Sequence, residues 1–161
     1  MTLETKRLIL RPFSEQDAPF LYELNKDAYV MKFTGDTPFL NEAEALEFIR
    51  NYDHYSCYGY WRWTVVIMET KEVIGWCGLK YHDEGYIDIG FRLFRRHWGK
   101  GYATEAAKVS VIYGKETLKL SPIWGRVAKD NVASIRVLEK IGMKYFKSDS
   151  CDGIKDALFY R

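Results

Sequence analysis

Short, nearly continuous apolar runs fill the middle of the chain, whereas apolar residues recur every three or four positions on either side of it. Short apolar runs bounded by turn residues predict strands, and the longer period predicts amphipathic helices. Three apolar runs, at residues 63–68, 73–81 and 86–93, are separated by two short polar turns. Turns of this length favour hairpins, so the middle of the chain is predicted to be an antiparallel meander of three strands.

Shorter elements flank the meander. Ser14 with Asp17 three residues later is typical of a helix start, as is Asn41 before the next segment with helical spacing. Gly142 follows another such segment and predicts its end. The resulting order, β-α-α-β-β-β-α-β-α-β-β, predicts a mixed α/β fold. The remaining predicted elements are strands at residues 7–12, 123–127, 143–147 and 157–160 and helices at residues 103–117 and 130–141.

Length and composition agree with one domain over residues 1–161. Of the 161 residues, 47% are hydrophobic and 29% charged, enough to bury one sizeable core. A formal charge of +2 is too small to favour nucleic-acid binding as the main task. The N-terminus lacks the apolar core of a signal peptide, and no apolar run has the length of a membrane span. We therefore expect a cytoplasmic protein without a membrane or nucleic-acid partner.

The cysteines predict neither a disulfide framework nor a metal site. Cys57, Cys77 and Cys151 are odd in number, widely spaced and form no C-x-x-C pair. No bound metal is therefore expected.

The junction between the third meander strand and the next helix has the most specific local sequence, with Gly99-Lys100-Gly101 at its centre. Glycines let the backbone turn without a Cβ penalty, and a helix start presents unpaired N–H groups with partial positive charge. These properties predict a phosphate or pyrophosphate cradle, with a plain tight turn as the alternative. Gly101 directly after Lys100 departs from the Walker loop, which needs Ser or Thr there.

The spacing Arg96-x-x-Gly99-x-Gly101, followed by Tyr-Ala-Thr-Glu-Ala, resembles the acyl-CoA signature of the GNAT N-acetyltransferases. The element order is also that of the GNAT fold, so the resemblance covers nearly the whole chain. It implies a central, mostly antiparallel sheet, splayed between two strands and flanked by about four helices. It further implies an acetyl-CoA-dependent N-acetyltransferase that acetylates a primary amine, on a protein or peptide N-terminus or on a small molecule.

The resemblance assigns the cofactor to two motifs. The glycine turn holds the CoA pyrophosphate, and the main chain at the end of the preceding strand binds pantetheine and polarises the thioester carbonyl. A second motif, from Asn131 through Ser134 and Leu138 to Gly142, is similar to one whose Asn contacts CoA in the family; Asn131 is equally suited to be a helix N-cap. The expected cofactor-binding residues are Phe91, Arg92, Leu93, Arg96, Trp98, Gly99, Lys100, Gly101, Tyr102, Ala103, Thr104, Asn131 and Ser134.

Asp88 is the predicted general base. It shares one strand face with Tyr86 and Gly90, and many relatives carry an acid at this place. We expect partial burial to raise its pKa, which would suit abstraction of the amine proton. A structural role is the alternative. Glu105, inside the helix after the glycine turn, is expected to be structural, and His54 is a third candidate for the base.

Ser134 is the candidate general acid for the departing thiolate. Many relatives use a Tyr seven residues after the motif Asn, but that position here is Leu138. A serine acid resembles the branch that acetylates ribosomal-protein alanine N-termini, and the opening TKRLILRPFSEQDA is also similar to that branch. A thiol with a pKa of about 8.5 needs little acid help near neutral pH.

The acceptor amine is expected on the opposite side of the splayed strands from CoA. Its walls would be the first two helices and the aromatic run from Tyr52 to Trp63, although these aromatic residues equally suit a core. No cysteine suggests an acetyl-enzyme, so we expect direct attack in a ternary complex, by a monomer or homodimer. Two other functions fit the same cradle: a non-catalytic acyl-CoA-binding sensor or scaffold, and a nucleotide-binding regulator.

Overall fold

One mixed sheet of eight strands organises the chain. The computed structural model describes residues 1–151 and 153–161, and of Cys151 the backbone alone, so the thiol of Cys151 lies outside the described part. In chain order the strands are β1 (Leu3–Glu4), β2 (Leu8–Arg11), β3 (Arg62–Ile67), β4 (Val73–His82), β5 (Tyr86–Leu93), β6 (Ile123–Val127), β7 (Tyr145–Cys151) and β8 (Ile154–Tyr160). Their spatial order is β1-β2-β3-β4-β5-β6-β8-β7. The meander β3-β4-β5 is confirmed, whereas the two-residue β1 was not predicted.

Six α-helices lie in the described part of the chain: α1 (Ala18–Lys26), α2 (Ala28–Met31), α3 (Glu42–Arg50), α4 (His54–Tyr58), α5 (Tyr102–Ile112) and α6 (Val132–Lys140). The predicted helix at 103–117 is α5 continued by a wider turn, Tyr113–Thr117. The short helices α2 and α4 were not predicted, since four or five residues are too few to show a helical period. None of the helices described is both long and apolar enough to cross a bilayer.

The start of α1 illustrates how local sequence fixes local structure. Asp17 accepts a hydrogen bond from the N–H of Ser14 at 2.8 Å, which confirms the predicted capping pair. The same carboxylate receives two hydrogen bonds from Arg11, at 2.8 and 2.9 Å, and one from Thr64. Asp17 is buried, and these charge-assisted bonds offset its desolvation. They tie the first helix to β2 and β3.

The two faces of the sheet carry different cores. On one face α1 and α3 pack around Trp76 of β4. On the other face α5 packs against the apolar side chains of β3, β4 and β5, which include Trp63 and Cys77. Adjacent residues of a strand point to opposite faces, so Trp76 and Cys77 belong to opposite layers. The helices therefore enclose the middle of the sheet from both sides.

The sheet is splayed between β5 and β6, as the family resemblance implied. These two strands are parallel, and they pair over three residues only, from Ile87 opposite Ile123 to Ile89 opposite Gly125. Beyond that point β5 continues to Leu93 with β4 as its partner, while β6 continues to Val127 with β8. The far halves of β5 and β6 thus separate and leave a wedge between them.

Candidate functional site

A groove occupies the wedge. Its volume is about 770 Å³, and its walls are the end of β5, the end of β6, the first turns of α5 and α6, and α2 with the loop that follows it. Apart from Arg96 and Lys100, every predicted cofactor residue lies in its lining: Phe91, Arg92, Leu93, Trp98, Gly99, Gly101, Tyr102, Ala103, Thr104, Asn131 and Ser134. The groove therefore brings the two sequence motifs together, although they are about thirty residues apart in the chain.

The glycine turn exposes bare backbone to this groove. Gly99 and Gly101 have φ angles of 72° and 81°, in the left-handed region where a side chain is strained. A Cβ built on Gly99 meets nothing within 4 Å, so the main chain there faces open space. A ligand can approach the backbone closely at this turn.

The start of α5 supplies donors beside the turn. Its first intrahelical bond runs from the N–H of Glu105 to the carbonyl of Gly101, at 3.1 Å. The amides of Tyr102, Ala103 and Thr104 therefore have no partner within the helix, and the helix dipole adds partial positive charge to them. A pyrophosphate needs such donors, and the turn leaves it space, so these residues fit the pyrophosphate of CoA.

Neither predicted cation points into the groove. The guanidinium of Arg96 lies 3.0 Å from Glu72 and 4.4 Å from the ring of Phe94, outside the lining. Lys100 contributes its carbonyl, which accepts a hydrogen bond from Arg7 at 3.0 Å. Contact between the side chains of Arg96 or Lys100 and the pyrophosphate stays a prediction.

Arg7 is a third cation near the glycine turn, and it was not singled out from the sequence. Its guanidinium lies 4.4 Å from the ring centre of Tyr102, at the first residue of α5. Glu105 holds it there, accepting from the Arg7 side chain at 2.7 Å and from the Arg7 backbone at 2.8 Å. Burial would raise the pKa of Glu105, but hydrogen bonds from Thr5 and Arg7 outweigh it and lower the pKa. Glu105 thus has the structural contacts expected of it.

The end of β5 provides main-chain groups to the groove. Alternate residues of a strand direct their N–H and C=O away from the paired neighbour. Beyond Ile89 β6 no longer pairs with β5, so the main-chain groups of Phe91 and Leu93 face the wedge as their predicted role requires, whereas those of Arg92 pair with Trp76 of β4. The carbonyl of Leu93 already accepts from Trp98 Nε1 at 2.9 Å, which fixes the glycine turn against the end of the strand.

Asn131 opens α6 as an N-cap. Its Oδ1 accepts from the N–H of Ser134 at 3.3 Å, and both residues line the groove. Capping and contact with a ligand are thus compatible in this geometry. Leu138, where relatives have Tyr, is 2% exposed and packs on Gly125. A Cβ on Gly125 would lie 2.6 Å from Leu138 Cδ2, so β6 needs glycine at this point to admit the leucine.

Asp88 is the centre of a buried cluster at the floor of the groove. Its Oδ1 lies 2.9 Å from His82 Nε2, and its Oδ2 accepts from Arg126 Nε and Nη2, each at 3.2 Å. Arg62 Nη2 is 3.9 Å away. Because an ionised carboxylate only accepts, His82 Nε2 carries the proton of that bond. The contact of 3.2 Å between Arg126 Nη2 and His82 Nε2 is then not a hydrogen bond.

The expectation of a raised pKa for Asp88 is wrong. Burial does act to raise the pKa of Asp88, but the hydrogen bond from His82 and the charges of Arg62 and Arg126 outweigh it and lower the pKa. Arg62 and Arg126 come from β3 and β6, far from Asp88 in sequence, whereas His82 lies six residues away across the β4–β5 hairpin. The sequence around Asp88 therefore could not have shown the two arginines.

A second space, the outer cavity, adjoins the groove on the face of β4 and β5 that carries Trp76 and Arg92. Its volume is about 610 Å³, and its walls come from α1, α3, the loop before α3 and the residues after it. The outer cavity and the groove share one wall, made by Asp36, Arg62, Trp76, Lys80 and Arg92. The groove and the outer cavity thus meet at this wall, beside the end of β5.

The aromatic run divides between cavity and core. Tyr52 and His54 line the outer cavity and stack on each other, with ring centres 5.1 Å apart. Trp61 and Trp63 are 2% and 0% exposed and belong to the core. Burial, as the largest cause, lowers the pKa of His54. His54 does not line the groove, and Asp88 does.

Comparison with known proteins agrees with this geometry. The family model "Acetyltransferase (GNAT) domain" matches residues 7–144. An uncharacterised N-acetyltransferase, p20, of Bacillus licheniformis is 36% identical over 146 residues, which are 89% of this chain and 82% of the relative. The solved structure of a GNAT-family acetyltransferase from Bacillus anthracis is 29% identical and superposes with a TM-score of 0.81, covering 99% of this chain and 95% of the other.

A more distant neighbour is spermidine N-acetyltransferase from Vibrio cholerae, solved with CoA and spermine. It is 21% identical, has a TM-score of 0.77, and the match covers 98% of this chain and 94% of that one. At this identity the likeness concerns the fold alone.

A splayed sheet with a glycine cradle at a helix start defines an acyl-CoA-dependent transferase. The chain belongs to the GNAT acetyltransferase family and is an N-acetyltransferase with acetyl-CoA as its cofactor. The comparisons support the family as a whole and do not single out the branch that acts on ribosomal-protein alanine.

Proposed function

We propose that this enzyme transfers the acetyl group of acetyl-CoA to a primary amine, by direct attack while both substrates are bound. The observation that supports this most is the shared wall between the groove and the outer cavity. With acetyl-CoA in one space and the amine in the other, the two reactants meet at the end of β5. Holding two reactants in this way replaces a bimolecular encounter by a step within one complex.

The groove residues are proposed to hold the cofactor by their main chain. The amides from Trp98 to Thr104 bind the pyrophosphate, Phe91 to Leu93 bind the pantetheine arm and polarise the acetyl carbonyl, and Asn131 contacts the cofactor from α6. Acetyl-CoA itself supplies an acetyl group activated as a thioester. Fixed backbone donors at a developing negative charge stabilise a transition state by about 3 kcal/mol each.

Proton transfer is proposed to use Asp88 together with His82. A carboxylate with a lowered pKa is a weak base, but it orients its histidine partner and stabilises the charged imidazole. Since His82 Nε2 donates to Asp88, the imidazole lone pair is on Nδ1. We propose that the amine proton passes to this pair, directly or through water. His82 lines the groove beside Asp88.

Ser134 is proposed as the acid for the departing thiolate. It is half-buried in the wall of the groove, next to the N-cap Asn131. Its backbone N–H is held by Asn131, which fixes its place at the start of α6.

The two described cysteine thiols support direct attack rather than an acetyl-enzyme. Cys77 is fully buried between β4 and α5, and burial raises its pKa to about 12, so it is a neutral thiol. Cys57 is exposed on α4 and lines neither the groove nor the outer cavity. Mass spectrometry after incubation with acetyl-CoA is expected to show no acetylated cysteine.

The deciding experiment is a calorimetric titration with acetyl-CoA beside ATP and NAD, followed by assay of CoA release with a panel of amines. We expect micromolar binding of acetyl-CoA, no response to ATP or NAD, and turnover with peptide N-termini or small amines. Acetyl-CoA binding without turnover on any amine would favour a sensor or scaffold. Competition by ATP or NAD would favour a nucleotide-binding regulator, and either result would overturn the proposal.

A further inference from the structure

Arg62 lies where the acceptor has to meet the acetyl group. It is the first residue of β3, and its side chain lines both the groove and the outer cavity. The wall that these spaces share contains three cationic side chains, Arg62, Lys80 and Arg92, and one carboxylate, Asp36. An acceptor that enters through the outer cavity therefore passes a positively charged wall.

The guanidinium of Arg62 is held in place rather than mobile in solvent. Its side chain is 22% exposed and lies 4.4 Å from the ring centre of Trp76. Gly90 of β5 makes the room: a Cβ there would lie 2.9 Å from Arg62 Nη2 and 3.2 Å from the Trp76 ring. The Arg62 backbone N–H is fixed by the hydroxyl of Tyr52 at 3.0 Å. This placement costs little further ordering when a ligand binds.

Arg62 also has hydrogen-bond capacity to spare. Its Nε is buried and has no acceptor among residues 1–151 and 153–161. The carboxylate nearest to it, Asp88, is 3.9 Å from Nη2 and already receives bonds from His82 and Arg126. The Nε itself is out of reach of a ligand, but the side chain is 22% exposed, so its terminal nitrogens are the donors that a ligand oxygen can reach.

The neighbouring Arg92 shows the contrast. Its two terminal nitrogens donate to Asn25 at 2.9 Å and to Asp36 at 2.6 Å, so its charge is already balanced. Arg92 also lies over Trp76, at 5.1 Å. Arg92 thus completes the wall, while Arg62 offers a fork of donors toward the place of reaction.

We propose that Arg62 binds an oxyanion, a carboxylate above all, that the acceptor carries next to its reacting amine. The inference rests on the proposed function and narrows its acceptor to amines of the α-amino-acid type. A guanidinium matches a carboxylate by two parallel hydrogen bonds. The cationic wall also disfavours a second ammonium group near the reacting one, and it favours the neutral, nucleophilic form of the amine.

Apart from Asp36, the carboxylates of the outer cavity lie away from the shared wall. Glu44, Glu47 and Asp53 are exposed and line the outer cavity without lining the groove. They make diamines the natural competing class of acceptor, and the experiment is designed to separate the two classes.

The test compares matched acceptors by CoA release: L-leucine with leucinamide and isoamylamine, and L-lysine with cadaverine. Leucinamide has the lower ammonium pKa and so more free amine at neutral pH, which means that a preference for leucine runs against intrinsic reactivity. We expect kcat/KM for the carboxylates to exceed that for their partners at least about tenfold. Equal or better rates with the amide, the simple amine or the diamine would overturn the inference.

Variants assign the preference to the guanidinium. Arg62→Gln is expected to remove the preference by raising KM for the carboxylates alone, whereas any effect through Asp88 changes kcat for carboxylates and isoamylamine alike. Arg62→Lys keeps the charge, guards against misfolding and is expected to retain part of the preference. Gly90→Ala leaves Arg62 intact but fills its place, and it should resemble Arg62→Gln. The control is Arg50→Gln, an exposed arginine that is paired with Glu15 and lines neither space.

The other possible results of the acceptor and variant assays also test the inference. An equal loss with every acceptor in Arg62→Gln would show a structural role and overturn the inference. The inference would also be overturned if the enzyme acetylates amines that lack a carboxylate and none of the acceptors that carry one. Titration of acetyl-CoA into the same samples separates these results from failure of the proposed function, in which the cofactor itself does not bind or no amine is acetylated.

Discussion

His82 Nε2 lies 2.9 Å from Asp88 Oδ1, and both side chains are buried. The pair spans the hairpin between β4 and β5, at the floor of the groove. A hydrogen bond at this place combines two effects. It stabilises the folded sheet by satisfying a buried carboxylate, and it presets the tautomer of an imidazole beside the acetyl-transfer site.

Asp88→Asn is expected to reduce both activity and stability. Loss of the charge leaves Arg62, His82 and Arg126 without their carboxylate, which costs about 3 kcal/mol by analogy with other buried ion pairs. Loss of the Asp88–His82 pair, the proposed proton acceptor, lowers kcat/KM about a hundredfold. His82→Gln should lower kcat/KM by a similar factor with a smaller loss of stability. The measurements are the pH profile of kcat/KM and the free energy of unfolding. Glu15→Gln, at an exposed ion pair, is the control.

If Asp88→Asn and His82→Gln leave kcat/KM and its pH profile unchanged, neither residue takes the amine proton. A loss of stability without loss of activity per folded molecule would leave Asp88 as a structural ion-pair partner.

The pH dependence of stability follows from the lowered pKa values of Asp88 and Glu105. In the folded state these carboxylates stay ionised to lower pH than in the unfolded chain. Their contribution to stability is therefore complete above the ordinary carboxyl pKa of about 4 and is lost as the pH falls through the lowered values. Urea unfolding at a series of pH values should show the wild type and Asp88→Asn converging in acid. A constant difference down to the most acidic pH would contradict this.

Gly99→Ala tests the cradle. The left-handed backbone strains alanine by about 1 kcal/mol, and the added methyl group also occupies space that a ligand needs. Gly59→Ala is a matched control, since Gly59 has a φ of 76° and open space around it but lies outside the groove. Both variants should lose similar stability, while only Gly99→Ala raises KM for acetyl-CoA. An equal KM in the two variants would mean that the turn does not hold the cofactor.

Leu138→Tyr restores the residue type of many relatives and is expected not to improve the enzyme. Leu138 is packed on Gly125, and a larger side chain there strains the core by about 1–3 kcal/mol. Thermal unfolding should show a lower Tm, with kcat unchanged or reduced. An undiminished Tm together with a higher kcat would show that the tyrosine finds its place as an acid, and that Ser134 is not the acid of this enzyme.

The sequence predicted most of the fold because its signals are local. Short apolar runs between polar turns marked the meander, Gly142 marked the end of α6, and Gly99 with Gly101 marked a turn whose φ angles are indeed positive. The splay between β5 and β6 has no local signal. It was available only through the family resemblance, since three residues of pairing followed by separation leave no pattern in the chain.

The sequence predicted which main-chain segments line the groove and named Asp88, but it did not show the side chains around Asp88. Arg62, His82, Asp88 and Arg126 lie on four neighbouring strands, and only the strand order β3-β4-β5-β6 brings them together. Without that register, Asp88 looked like a half-buried acid and its lowered pKa was not foreseen. Arg7 was missed for the same reason, because its partner Glu105 is on a different element.

The three residue pairs between β5 and β6 form the joint between two parts of the sheet, and the hydrophobic core continues across it. On one side of the joint lie the first five strands with α1 to α5, and on the other lie β6, β7, β8 and α6. Acetyl-CoA bound in the wedge would contact both parts of the sheet and restrict their movement relative to each other. Hydrogen exchange should then slow in Ile123–Val127 on cofactor binding, while β3 changes little. The cofactor would thus stabilise the wedge between β5 and β6 in addition to supplying the acetyl group.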